Sequence, residues 1–286
     1  MKFRPVVLLA FLFAPFLHAE TPRDSALALY KAKHFPEARA AFAQLSTAEP
    51  QNAEFHYYLG LIAARRNETD EAIAQFEQAT ALDPKNSDYW GELGGAYGDA
   101  AGKAGVFAKM GLAKKCQTAL EKSVELNPDN LDSRNGLVSY YRAAPSFIGG
   151  GMSKAYEQAE EIRKRNPTMG ASVLGQLYIA DKKYDEAFAL FEDVLKASPD
   201  HYLALYSIGR TAAQTGLRLD RGEQTLHRCL ELTPGKGEPS AAAVHWRLGN
   251  IAEKRQNPTA ARAEYEAALK ADPAFSQAKE SLAKLK

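Results

Sequence analysis

The chain has 286 residues, 45% hydrophobic and 25% charged, and Lys+Arg 36 against Asp+Glu 35 leave a formal net charge of +1. That composition excludes a disordered chain, a collagen and a coiled coil throughout, and two cysteines exclude a disulfide-framed fold. The balanced charge gives no electrostatic case for nucleic acid as the main partner.

The first element is an address. Met1, Lys2 and Arg4 make a basic start, Val6 to Leu17 form an apolar run broken only by Pro15, and Ala19 follows. A basic start, a short apolar run and a small residue are the pattern of a secretory signal peptide, here residues 1–19, cut after Ala19. The run is shorter than the ~20 apolar residues that span a bilayer, and no Cys follows to carry a lipid. The reading is an exported chain, periplasmic in a Gram-negative cell, with no transmembrane segment after cleavage. Cys116 and Cys229 sit singly in helical patterns and read as small buried hydrophobes.

From residue 20 onward one motif recurs. Pro50, Pro84, Pro128, Pro167, Pro199, Pro234 and Pro273 mark its period. Stepping back along the chain from each proline gives first Phe42, Phe76, Leu120, Ala159, Phe191, Leu226 and Tyr265. It gives next Ala38, Ala72, Cys116, Ala155, Ala187, Gly222 and Ala261. The second set is uniformly small, and the first is large and apolar except at Ala159. A small residue lets a second helix approach, and a large one four residues later lies on the same face and fills the space beside it. The proline then ends the helix, because it cannot continue one and it restricts the residue before it. Upstream of five of these seven helices stands a Leu-Gly or Ile-Gly pair: Leu59-Gly60, Leu93-Gly94, Leu174-Gly175, Ile208-Gly209 and Leu248-Gly249. Each unit is therefore a pair of helices in close contact.

Trp90, Leu93, Gly94 and Tyr97 in the third unit, and Leu59, Gly60, Ala72, Phe76, Ala79 and Pro84 in the second, resemble the tetratricopeptide repeat. Leu174, Gly175, Tyr178, Ala187, Phe191 and Pro199 carry the same resemblance in the fifth. It implies an all-α fold: a right-handed superhelical solenoid of about seven helical hairpins over residues 20–275. The units run roughly 20–52, 53–86, 87–130, 131–167, 168–201, 202–236 and 242–275, and a C-terminal capping helix takes 276–286. Unit one is faint, with Ala26 in the glycine's place. Unit three has ten extra residues between Tyr97 and Cys116, which lengthen both of its helices. Unit four lacks a Leu-Gly pair and contains Gly149-Gly150-Gly151, read as a flexible connection rather than an anion nest.

No catalytic constellation stands out. The histidines form no HExxH or paired-ligand spacing, the cysteines form no CxxC, and Gly98 to Ala104 misses the phosphate-loop pattern at both ends. His56 and His245 fall in first helices and read as packing residues. The expectation is a chain with no cofactor, no metal and no enzyme activity.

Binding is the remaining role. The resemblance implies that partners lie against first-helix residues lining a concave groove. Carried over by phase, these are Tyr57 and Arg65, Asp99, Gln176, Tyr206, Arg210 and Gln214, and Trp246, Asn250 and Lys254. Tyr, Trp and Arg are the side chains that most often dominate binding energy. Val106, Phe107 and Met110 in the unit-three insertion form a second candidate surface. The sequence therefore reads as a protein- or peptide-binding scaffold of the bacterial envelope. The alternative is an accessory subunit of an envelope enzyme or of a secretion or assembly complex, docking through the insertion. An enzyme or small-ligand carrier fits less well.

Overall fold

The structure is a computed structural model that describes residues 21–285; the leader at 1–19 lies outside the described residues. Within them the chain forms fifteen α-helices, one 3-10 turn (Ser146–Ile148) and no strand. Fourteen helices make seven hairpins. These are α1 (Pro22–Lys31) with α2 (Phe35–Ala48), α3 (Ala53–Arg65) with α4 (Thr69–Leu82), and α5 (Ser87–Lys103) with α6 (Val106–Leu126). Next come α7 (Leu131–Ala143) with α8 (Met152–Arg165), and α9 (Pro167–Ala180) with α10 (Tyr184–Ala197). The last two are α11 (Tyr202–Thr215) with α12 (Leu219–Glu231), and α13 (Ala241–Lys254) with α14 (Pro258–Ala271). The final helix, α15 (Ser276–Lys284), covers the end.

The start of each hairpin is chemically marked. Asn52, Asn86 and Asn130 stand two residues after a closing proline, and each side-chain oxygen accepts a backbone N–H from the first turn of α3, α5 or α7. Such caps satisfy donors that the helix cannot pair internally. Pro167 departs from this pattern, since it opens α9 itself, where its missing N–H costs nothing.

The two sequence signals meet inside the hairpins. A Cβ added at Gly60 would stand 2.5 Å from the Phe76 ring, and one at Gly94 would stand 2.6 Å from Leu120. The same relation joins Gly175 to Phe191, Gly209 to Leu226 and Gly249 to Tyr265, at 2.1, 2.2 and 2.3 Å. The large residue thus packs directly on the glycine of its partner helix. In the fourth hairpin the sizes have changed places. Val138, eighth in α7 as Gly60 and Gly94 are in α3 and α5, and Ala159 in α8 are both buried in one apolar cluster.

Successive hairpins pack in order, α2 on α3 through α14 on α15. First helices also touch first helices, α3 to α5, α5 to α7, α9 to α11 and α11 to α13, and no pair of second helices does so to a similar extent. First helices therefore form the inner, concave wall of a solenoid. Apolar clusters follow one another along the stack, from Phe42 and Phe55 at one end to Tyr265 and Ala278 at the other. Cys116 and Cys229 are buried, free thiols. Burial pushes them up to about 11 and about 12, so both stay protonated and unreactive at neutral pH.

The third hairpin is the longest. Its helices have 17 and 21 residues, whereas no other hairpin helix exceeds 14. The chain between α7 and α8 is also irregular, but it is not a loose connection. The N–H groups of Gly149, Gly150 and Gly151 donate to the carbonyls of Ser146, Pro145 and Tyr141 at 3.0, 3.1 and 2.8 Å. With those donors used, the segment offers no anion nest. It also needs glycine at its centre, since a Cβ on Gly150 would fall 1.8 Å from the Ala144 carbonyl oxygen.

Candidate partner-binding surface

The two irregular features face each other across the concave wall and enclose a cavity of about 1150 Å³. Its floor comes from α5 and α7. Asp88, Glu92, Gly95, Asp99 and Gly102 recur at helical spacing on one face of α5, and Asp132, Gly136, Ser139 and Ala143 do so on α7. The space exists because these faces are small: a Cβ on Gly95 or Gly102 would meet nothing within 4 Å. Val106, Lys109, Met110 and Ala113 at the start of α6 make one wall, Pro145, Phe147 and Ile148 make the opposite one, and Tyr57 closes an end.

Buried polar contacts hold the walls in place. The Ser87 hydroxyl donates to the Ser123 carbonyl at 3.0 Å, Asn130 Nδ2 donates to Ser87 Oγ at 2.9 Å, and the Ser123 and Ser133 hydroxyls are 2.7 Å apart. This ties α5, α6 and α7 at their closed ends. The Tyr140 hydroxyl donates to the Ile148 carbonyl at 2.5 Å and fixes the far wall to α7. Such satisfied buried networks specify one arrangement.

The rim is apolar and uncovered. Phe107 is 96% exposed, Phe147 77%, Val106 76% and Met110 44%, and only one other large hydrophobic of the described residues, Leu217, is comparably open. Three of the five therefore line one cavity, and Phe107 lies next to Val106 at its edge. Contiguous exposed apolar surface of this kind marks interaction sites.

The floor is acidic. Asp88, Glu92, Asp99 and Asp132 line it, against one basic residue, Lys109. Burial pushes the Glu92 carboxyl above its usual value, Asp132 and Asp88 add to the rise, and Arg65 opposes it. Glu92 is open to the cavity yet surrounded by its walls, so the carboxyl is poorly hydrated although water reaches it. The Tyr57 phenol is pushed up by burial, with Glu92 and Asp88 adding to it.

A family model described as Tetratricopeptide repeat matches residues 23–87, 65–104, 173–217 and 217–276, well over half of the chain. The chain belongs to the tetratricopeptide repeat family. The stretch between the matches, 105–172, holds α6, α7, the 3-10 turn and α8, so both walls of the cavity and the α7 part of its floor lie outside the matched residues, while α5 and Tyr57 lie within them. None of the curated proteins matches the chain significantly. Among solved structures, a tetratricopeptide repeat protein from Parabacteroides merdae is similar with TM-score 0.64 and 15% identity, covering 92% of this chain and 96% of its own. PilW, a widely conserved type IV pilus biogenesis factor, is similar with TM-score 0.55 and 16% identity over 80% of this chain and 98% of its own. A human IFIT1 dimer with PPP-AAAA is similar with TM-score 0.57 and 20% identity, covering 93% of this chain and 63% of that one. At these identities the likeness extends to the fold alone.

Of the sequence-derived candidates in this tetratricopeptide repeat chain, the cavity gathers Tyr57, Asp99, Val106 and Met110, and Phe107 stands beside it. The others are spread along the solenoid. Gln176, Gln214 and Lys254 are exposed. Arg65 packs its guanidinium over Tyr30 and Phe35 at 5.7 and 5.4 Å and donates to the Tyr30 hydroxyl. Tyr206 is a correction: it is 8% exposed and belongs to the apolar core between α10 and α13, because the neighbouring hairpin covers it. Trp246 is also engaged internally. Its ring packs edge-on against Phe275, its indole N–H donates to Ser281 Oγ at 3.1 Å, and the capping helix takes up that face. Asn250 accepts a hydrogen bond from the Tyr265 hydroxyl at 2.8 Å. Arg210 is half-buried with Nε unpaired, as is Nε of Arg247, which lies over the Trp246 ring. Burial lowers the Arg210 pKa, and the nearby Arg247 charge adds to that.

Phase on the first helix missed Glu92, Asp132 and Phe147. The signal for Glu92 and Asp132 was their four-residue spacing from Asp88 and Gly136. Phe147 gave none, because its wall depends on a turn that no repeat template contains. His56 and His245 pair across their own hairpins, to Gln75 at 2.8 Å and Glu264 at 2.7 Å, and serve packing.

Proposed function

We propose that this chain is a non-catalytic scaffold of the bacterial cell envelope that holds a segment of a protein partner on its concave wall. The observation that carries this reading is the convergence of three exposed apolar side chains, Val106, Met110 and Phe147, on one large preformed cavity, with the open Phe107 beside it. At about 1150 Å³ it lies at the upper end of ligand-site sizes (~300–1,000 Å³) and is large enough to take several side chains of a protein segment. The acidic floor disfavours nucleic acid, whose phosphates Asp88, Glu92, Asp99 and Asp132 would repel.

Export rests on the basic and apolar leader at 1–19, with cleavage near Ala19. No helix among the described residues is long and apolar enough to cross a membrane. A second reading, an accessory subunit of an envelope enzyme or assembly complex, is favoured by Phe107, which stands almost fully open near the tip of the longest hairpin.

Two measurements test the proposal. N-terminal sequencing of protein from a periplasmic fraction is expected to begin at Glu20, and an intact Met1 would contradict export. Affinity capture from that fraction is expected to retain a defined partner with the native chain and to lose it in Phe107→Ser/Phe147→Ser. Equal capture by both chains would remove the cavity from the account.

A further inference from the structure

The cavity also specifies the chemistry of what it takes, an inference that rests on the scaffold reading. We infer that its occupant is a protein segment whose apolar side chains are interspersed with Lys or Arg. Three features of the site carry this.

The first is an excess of negative charge. Asp88, Glu92, Asp99 and Asp132 line one cavity, and Asp88 alone has a side-chain donor, Asn130 Nδ2 at 3.1 Å. Several acids elsewhere on this molecule are met by arginine. Glu54 pairs with Arg23, Glu192 with Arg221, Asp200 with Arg228, and Asp220 and Glu223 with Arg255. The concave floor of α5 and α7 is thus a patch where negative charge accumulates, with only Lys109 in the lining and the nearby Arg65 charge to offset four acids. Such a cleft, with low-dielectric walls, concentrates its field on an incoming cation.

The second is the position of the acids relative to the apolar surface. Val106 and Met110 stand on one wall and Phe147 on the other, while the carboxylates lie on the floor between them. A purely apolar segment would bury Glu92 and Asp132 without partners, which is costly. A purely cationic segment would leave the exposed aromatic and methionine surface in water. A segment carrying both satisfies each surface, and charge-assisted hydrogen bonds to carboxylates are among the stronger available.

The third is preorganisation. The Ser87, Ser123, Ser133 and Asn130 network fixes α6 against α5 and α7 at the end of α6 away from its wall residues, and the bond from Tyr140 to Ile148 holds the opposite wall before anything binds. Little ordering is then required of the receptor, which favours capture of a flexible segment.

The experiment uses the mature full chain and three fluorescent peptides of about 15 residues, long enough to form a short amphipathic helix. One places Leu and Phe at i, i+3, i+4 and i+7 spacing with Lys at the flanking positions, the second replaces every Lys by Glu, and the third keeps Lys but replaces the apolar residues by Ser. Fluorescence anisotropy is expected to rank the first at least about tenfold tighter than either of the others, a difference of about 1.4 kcal/mol. Glu92→Gln/Asp132→Asn is expected to lose that tenfold and to bind the Lys and Glu peptides alike, with an unchanged far-UV spectrum. Equal binding of the Lys and Glu peptides by the native chain would overturn the inference, as would native-like preference in the double variant. Concentration-dependent self-association of the native chain, abolished by Phe147→Ser, would make a second copy the occupant and overturn it as well. If partner capture depends on Phe107 and Phe147 but the peptides show no charge preference, the scaffold reading stands and this chemistry alone falls.

Discussion

At the scale of single residues, Glu92 is the most informative side chain of the site. Its carboxyl is raised first by burial in the cavity and then by Asp132 and Asp88, with Arg65 opposing. An acid whose folded pKa lies above its unfolded value binds its proton more tightly when folded. The ionised form therefore costs stability above that folded value, and the cost is relieved as the pH falls through it. Glu92→Gln removes the cost outright. The variant is expected to melt above the native protein at neutral pH, with the gap closing on acidification; a native chain more stable than the variant at neutral pH would refute the assignment. The acids were readable in the sequence as residues but not as a cluster. Asp99 followed from helical phase, whereas Glu92 and Asp132 become neighbours only because α5 and α7 lie side by side on the inner wall. Tyr206 failed in the opposite sense. Phase put it on the groove, and packing by the neighbouring hairpin buried it.

At the scale of the element, the hairpin is closed by a large side chain resting on a glycine, and that relation was almost fully legible. The Leu-Gly pairs and the large residues ahead of each proline are the two halves of one contact. Adjacent glycines in α5 make a direct test. At Gly94 a methyl group would collide with the Leu120 side chain and approach its backbone, while at Gly95 it would meet only the open cavity. Gly94→Ala is expected to destabilise by about 1–3 kcal/mol through overpacking. Gly95→Ala is expected to stabilise by about 0.5–1 kcal/mol through helix propensity. Denaturant titration distinguishes them, and similar losses for both would show that Gly94 is not a contact point. The fourth hairpin was harder to read because Val138 and Ala159 reverse the usual sizes, so neither half of the signal was present although both residues are buried. The turn at 145–151 was misjudged as loose, because hydrogen bonds from its three glycine N–H groups to backbone carbonyls leave no trace in residue type.

At the scale of the whole molecule, the repeats build a continuous core and an inner wall, and the irregularities of the third and fourth units build the site. A solenoid is stabilised by contacts between neighbouring hairpins, so a lengthened hairpin and an inserted turn can be accommodated without interrupting the stack. The regular part of the molecule was written in the period of the sequence. The site was only hinted at, by extra residues and by missing consensus positions, because it arises where α5, α6, α7 and the turn meet. The central claim is that a protein partner occupies this meeting point. Its most direct test is a photo-crosslinking amino acid placed, in living cells, at position 147 or 110 and, as a control, at 217, where another open hydrophobic residue lies away from the cavity. The account predicts the same discrete protein adduct from positions 147 and 110 and none from 217. Adducts of equal yield from all three positions, or from 217 alone, would contradict it.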